Sequence, residues 1–254
     1  MTITELMSID LNCDLGEGMT TDAAIMPYIS SANIACGLHA GDDDTMRRTI
    51  ELCVNHGVAI GAHPGFRDRE NFGRVPMSLE DSALYDLLIE QLHILQKHGN
   101  ELGARLHHIK AHGALYNMAA KDARMSRILA QVTKDFNASL IVYALSGSIT
   151  ITEARALGLT TASEVFADRT YQPDGTLTPR TEKNAIIKNI QESLAQVMMM
   201  VKDRKAKAID GHDINLIVDT ICLHGDGTHA VSFAEAIHSF LKDNLISILP
   251  PHLD

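Results

Sequence analysis

The chain has 254 residues, 45% of them hydrophobic, and a formal net charge of −10. That is enough chain for one α/β barrel with a large core, and too acidic a balance to give the basic footprint that nucleic acid requires. No stretch approaches the roughly 18 uninterrupted apolar residues of a membrane span, and Met1 to Ser8 lack the basic start and apolar block of a signal peptide, so a cytoplasmic location is expected.

In chain order, seven short strand-like runs are predicted at Ser8–Cys13, Asn33–Leu38, Val58–His63, Arg105–His112, Leu140–Ala144, Thr161–Phe166 and Thr220–His224. Helical patterns separate most of them, at Asp42–His56, Leu79–His98, Ser126–Phe136, Ser148–Leu157 and Thr181–Val201. In the last, Ile187, Ile190, Leu194, Val197, Met198 and Val201 share one stripe, and the methionine run Met198 to Met200 reads as core packing. Ser78 is a candidate N-terminal cap for the second helix, with Asp81 three residues on. The basic stretch Lys202 to Lys207 reads as a solvated helix end. No linker divides the chain, so one domain over 1–254 is expected. Strands alternating with helices give a parallel sheet covered on both faces. Polar strand ends scattered along the whole sequence favour closure into a barrel over an open sheet. Two long irregular segments, Arg67 to Pro76 and Tyr171 to Pro179, could fold over a pocket as lids.

The four cysteines, Cys13, Cys36, Cys53 and Cys222, show no CxxC spacing. Three of them fall in predicted strands, where cysteine acts as a small buried hydrophobe. Four histidines share a different setting: a short apolar run leads into each, and a glycine follows within two residues. They are His39, His63, His112 and His224. Such ends should converge on the C-terminal face of a barrel, where they can supply acid–base groups or metal ligands. After the first strand, Asp14 and Glu17 lie three apart in a glycine-bearing turn. Paired carboxylates there can bind a metal, orient water or divide acid and base roles.

Lys110, two residues before His112 on the same strand face, is placed to hold a substrate carboxylate or an oxyanion. Glu164, Asp168 and Arg169 cluster at the end of the sixth strand. Glu164 and Asp168 suit a base and its supporter, and the planar fork of Arg169 suits a carboxylate or phosphate. An ion pair between Asp168 and Arg169 is the structural alternative. Asp226 could hold a histidine ring in the needed tautomer. His107 and His108 point to opposite faces of the fourth strand, so at most one belongs to a pocket. There is no phosphate loop, dinucleotide fingerprint, HExxH or GxSxG motif.

Taken together these segments resemble the LamB/YcsF family. The matching motifs are Asp10-Leu11-Asn12-Cys13-Asp14-Leu15-Gly16-Glu17-Gly18, the stretch from Asn33 to Asp42, and Gly61 to Phe66 with Phe72-Gly73-Arg74. They continue with Lys110 to Asn117, Glu164 to Arg169 and Ile221 to Asp226. Three positions depart from the usual pattern: Ala111 for a proline, Val75 for a second arginine, and Gly227-Thr228 for a proline-containing turn. The resemblance implies a seven-stranded, TIM-like barrel related to sugar deacetylases. It also implies ATP-dependent hydrolysis of 5-oxo-L-proline to L-glutamate, with ATP handled mainly by partner subunits B and C.

On that basis Asp14, Glu17, His39, His63, His112, Glu164, His224 and Asp226 are the catalytic candidates. Lys110, Asp168, Arg169 and Arg74 are the substrate-binding candidates. A divalent metal and a homo-oligomer remain open. Two other readings stand beside this one. The first is a metal-dependent deacetylase with Asp14, His39 and His63 around the ion. The second is a non-catalytic subunit that presents 5-oxoproline to its partners.

Overall fold

The structure, a computed structural model, describes residues 8–227 and 229–252. Met1 to Met7, on which the signal-peptide reading rests, and Thr228 of the atypical turn lie outside the described residues. Among the described residues, ten strands and eight α-helices follow one another. β1 (Ser8–Leu15), a short α1 (Asp22–Ile25), β2 (Ser31–Ala35), α2 (Asp43–His56) and β3 (Ala59–His63) come first. Then come α3 (Asp81–Glu101), β4 (Leu106–Lys110), α4 (Gly113–Ala119), α5 (Ala123–Asn137), β5 (Ile141–Leu145), α6 (Ile149–Ala156) and β6 (Thr161–Phe166). The chain finishes with α7 (Ile190–Asp203), β7 (Lys205–Lys207), β8 (Asp213–Asn215), β9 (Thr220–His224), α8 (Ala230–Asp243) and β10 (Ser247–Ile248).

Seven parallel strands, β1 to β6 and β9, close into a barrel when β9 pairs with both β6 and β1. β10 adds a short parallel pairing beside the start of β1. The strand alternation explains the two layers. On β1, Ile9, Leu11, Cys13 and Leu15 join the main hydrophobic core, while Asp10, Asn12 and Asp14, at the alternate positions, face the barrel interior. That interior is polar. Asp10 accepts from Ser30, Ser31 and Thr220. Asn12 donates to Glu164 and Thr220. Asn33 donates to Asn12 and Asp14. Buried polar groups of this kind must be paired, and here each one is tied to a different strand.

The helices form where their sequences predict an apolar stripe, with some shifted ends. Asp42 caps α2 by accepting from the Thr45 amide at 2.8 Å, and Met46, Thr49, Ile50 and Cys53 make the buried face. α3 starts later than expected. Glu80 is its N-cap residue, without a side-chain cap bond, so Ser78 does not play that part. The expected helix at Thr181–Val201 begins only at Ile190, capped by Asn189. Residues 181–189 are instead drawn back across the barrel mouth, where Ile186 bridges to Arg169. The basic stretch is a helix end only in its first half: Lys202 lies in the last turn of α7 and Arg204 is its C-cap, while Lys205 and Lys207 belong to a hairpin strand and pair with Asp213 across it. The second expected strand lies earlier, at Ser31–Ala35, because the chain turns at Gly37. Only two cysteines, Cys13 and Cys222, are in strands; Cys36 follows β2 and Cys53 is in α2. All four are buried free thiols.

Candidate active site

At the C-terminal mouth of the barrel lies a cavity of about 550 Å³, lined among others by Asp14, His63, Arg74, Lys110, His112, Arg169, Arg180 and His224. Lys110 forms its buried floor. The ammonium sits 2.8 Å from Asp14 Oδ1, 2.9 Å from Glu164 Oε1 and 3.0 Å from Cys222 Sγ. Burial opposes its charge, but Asp14, Cys222 and Glu164 outweigh that and hold it well above the usual lysine range. Glu164 is fully buried and also accepts from Asn12 and from Tyr116, at 2.9 and 2.7 Å. Lys110 therefore has no free face for a substrate carboxylate, and Glu164 is saturated beneath the cavity rather than open to it. Glu164 and Asp168, expected to act together, thus have separate roles.

Above the floor, His63 and His112 meet. His63 donates Nδ1–H to the Lys110 carbonyl at 2.8 Å, and His112 donates Nε2–H to the Phe72 carbonyl at 2.8 Å. Their inner nitrogens, His63 Nε2 and His112 Nδ1, are 2.9 Å apart. Asp14 Oδ2 is 3.3 Å from His63 Nε2, and Glu17 Oε1 is 3.4 Å from His112 Nδ1. Burial opposes ionisation of Asp14, yet His63 and Lys110 hold it well below the usual carboxylate range. Glu17 is pushed well above it by burial and by the charges of Asp14 and Asp226.

His39 stacks face to face on His112 with centroids 3.9 Å apart, and burial brings it down to about 3. Glu17 and His39 are buried behind the cavity wall. Gly73 makes this approach possible. It has φ +63°, and a Cβ there would press on the His39 Cβ at 2.9 Å.

On the opposite wall His224 Nδ1 lies 2.8 Å from Asp168 Oδ2, and Asp168 also accepts from the His224 amide. Asp168 thus holds the histidine, a part expected of Asp226; it makes no ion pair with Arg169. Asp226 pairs with Arg74 instead, whose guanidinium lies 4.7 Å over the Phe72 ring. Arg169 is buried, with Nε donating to the Ala185 carbonyl at 3.1 Å and Nη2 to the Thr178 carbonyl at 2.6 Å. Its fork is spent on fastening residues 178–185. Burial and the charge of Arg180 lower it to about 10. Arg180 itself lines the cavity and has no ion-pair partner among the described residues. Its charge also acts on Asp168 and Asp226.

The sequence reading missed Arg180, Asn12, Asn33, His108 and Tyr116. For Asn12, Asn33 and His108 the polar alternation along β1, β2 and β4 was the available signal. Of His107 and His108, His108 is the interior one; its Nε2 bonds to Asn33 Oδ1 at 2.8 Å and its ring stacks on Tyr143, below the cavity. Both irregular segments do cover the mouth. In the first, Arg69 donates to the Gly37 carbonyl at 2.8 Å. In the second, the Tyr171 hydroxyl anchors the chain by accepting from the Phe166 amide at 2.8 Å.

The sequence profile of the LamB/YcsF family matches residues 9–252. The chain belongs to that family. A relative from Bordetella parapertussis, named as the A subunit of 5-oxoprolinase, is 48% identical over 246 residues, covering 95% of this chain and 98% of that protein. The crystal structure of a lactam utilization protein from Thermus thermophilus superposes with a TM-score of 0.90 at 35% identity, covering 96% of this chain and 100% of that one. The peptidoglycan deacetylase PdaC from Bacillus subtilis aligns over 97% of this chain and 88% of that chain, with a TM-score of 0.53 at 11% identity. That likeness shows the shared barrel fold alone. No helix among the described residues is long and apolar enough to cross a membrane.

Proposed function

We propose that this LamB/YcsF protein is the A subunit of an ATP-dependent 5-oxoprolinase and carries the hydrolytic half of the reaction. The observation that carries the reading is a cavity with two separate proton-handling groups, Asp14–His63–His112 on one wall and Asp168–His224 on the other. The names of its relatives point to a lactam as the substrate.

An unstrained lactam is a resonance-stabilised amide, so its opening needs coupled energy. Transfer of the γ-phosphoryl group of ATP to the lactam oxygen, with loss of the N–H proton, gives a cyclic imidate phosphate. The chain has no phosphate-loop motif, so partner subunits B and C bring the ATP. Water then adds at the activated carbon. The Asp14–His63–His112 group orients that water and takes its proton. As the ring carbon–nitrogen bond breaks, both hydrogens of the water end on the nitrogen, which leaves as the free amine of a glutamyl phosphate. A second water releases phosphate and L-glutamate. His224, held through Nδ1 by Asp168, has Nε2 left to pass the proton to the nitrogen. Arg180, the cavity guanidinium without an ion-pair partner among the described residues, receives the substrate carboxylate in place of Lys110 and Arg169.

Glutamate release from 5-oxo-L-proline tests this, with the chain alone and mixed with subunits B and C, with and without ATP. Glutamate only in the complete, ATP-fed mixture is expected. Silence there, with all proteins folded and associated, overturns the reading.

A further inference from the structure

Three potential donor atoms for a cation, from Asp14, His63 and His112, converge at one point of this cavity wall. A carbonyl oxygen only accepts, so the bonds to the Lys110 and Phe72 carbonyls commit His63 Nδ1 and His112 Nε2 to carry the ring protons. The inner nitrogens of both neutral rings are then acceptors, facing each other at 2.9 Å. Asp14 Oδ2, an acceptor when ionised, completes the group at 3.3 Å from His63 Nε2, while Glu17 Oε1 approaches only the outer side of the group, 3.4 Å from His112 Nδ1. Glu17 Oε1 is buried without a hydrogen-bond partner among the described residues.

We propose that Asp14, His63 and His112 bind one divalent transition-metal cation of the zinc class. The spacing supports it. Bonds of about 2.0–2.1 Å in a tetrahedral shell put neighbouring donors roughly 3.3 Å apart; here His63 and His112 are 2.9 Å apart, Asp14 and His63 are 3.3 Å apart, and all three donor atoms lie within 4.8 Å of one another. The charge supports it as well. With neutral histidines, buried ionised Asp14 and Glu164 face the single ammonium of Lys110, which leaves one negative charge for a cation to offset. Two imidazoles beside carboxylates suit zinc, cobalt or iron better than magnesium, whose shell is mostly oxygen. The carbonyl bonds orient both rings from behind, as outer-shell partners of metal-ligating histidines do.

His39 belongs to a different set. Glu17, His39 and His112 also lie close enough to share an ion. Yet the His39 ring is stacked on His112 with only 8° between their planes. An ion in the plane of His112 then lies well outside the plane of His39, where the imidazole lone pairs do not point.

The inference deepens the function proposed above by naming what holds the attacking water, and rests on that reading only for this use. The binding itself is tested on the isolated full-length chain, without substrate or partners. After chelator treatment and dialysis, Co²⁺ is titrated with its visible absorption as the readout, and Zn²⁺ is added to displace it. One equivalent per chain is expected, with a four- or five-coordinate cobalt spectrum and no displacement by equimolar Mg²⁺. Asp14→Asn and His112→Gln should weaken binding by more than the roughly 10–100-fold that loss of an outer-shell partner costs. His39→Phe should retain it, and circular dichroism checks that each variant is folded. No uptake of Zn²⁺ or Co²⁺ by the folded wild-type chain overturns the proposal, leaving a proton shared by His63 and His112. Binding that survives Asp14→Asn but is lost with His39→Phe overturns it too, by placing the ion at the other set. Either result leaves the glutamate assay free to stand, and silence in that assay leaves the metal titration intact.

Discussion

At Arg180 the cavity presents a guanidinium that no carboxylate claims among the described residues. A charge-assisted hydrogen bond to substrate contributes about 1.5–3 kcal/mol, so Arg180→Ala should raise KM for 5-oxo-L-proline by roughly 10–150-fold in the complete ATP-fed assay. kcat should change little if this contact is made equally in the ground and transition states. Arg180→Lys keeps the charge but loses the fork and should fall between. The opposite split is expected at His224. His224→Gln removes the proton donor and should lower kcat by about 10²–10⁴-fold with KM nearly unchanged. A loss confined to KM would remove His224 from the proton path. His39, His63, His112 and His224 were legible because each precedes a glycine at a strand end. Arg180 was not, since it follows a proline in an irregular segment whose path over the cavity no local pattern specifies.

Among the elements, β3 and β4 are the most closely fitted. Gly61 faces the His108 ring across their pairing, and a Cβ at Gly61 would overlap that ring. Gly61→Ala should therefore cost about 1–3 kcal/mol by overpacking, read as a lower urea midpoint. An unchanged midpoint would mean that the ring can move aside. The segment after β6 depends on Arg169 in a comparable way. Arg169→Met would leave the Ala185 and Thr178 carbonyls without that donor, and proteolytic cleavage between 170 and 189 should speed up while the barrel stays intact. Equal cleavage rates would show that other contacts hold the segment. That segment was expected to be partly helical, because its apolar spacing continues back from α7 to Ile187. Its bridge to Arg169 is a long-range contact that periodicity does not register.

For the whole molecule, a polar barrel interior ties stability to pH. His108 is held well below the usual histidine range, by burial first and then by His107, Lys110 and His63. Its folded pKa thus lies below the unfolded value of about 6.5, and the unfolded chain binds the extra proton. The stability this gives is fully present above about pH 6.5 and is lost as the pH falls, at about 1.4 kcal/mol per pH unit while the difference lasts. In chelator-treated samples, His108→Asn should unfold more easily at pH 7.5 yet show a stability curve flatter by one proton between about pH 6.5 and 5. Parallel curves for the two proteins would exclude His108 as a source of the acid sensitivity.

The seven barrel strands, the parallel sheet and the four histidine-bearing strand ends follow from the sequence by itself, whereas closure into a barrel was only favoured by the scatter of polar strand ends. They are set by local physics: an alternation of two along a strand, 3.6 along a helix, and a turn that glycine permits. Tertiary structure alone decided which charge meets which. Asp14 reaches Lys110 across 96 positions and His112 reaches His63 across 49, while Asp168 rather than Asp226 holds His224. Those pairings depend on strand register and on the return of β9 to β1, which are non-local and leave no mark on the spacing of neighbouring residues.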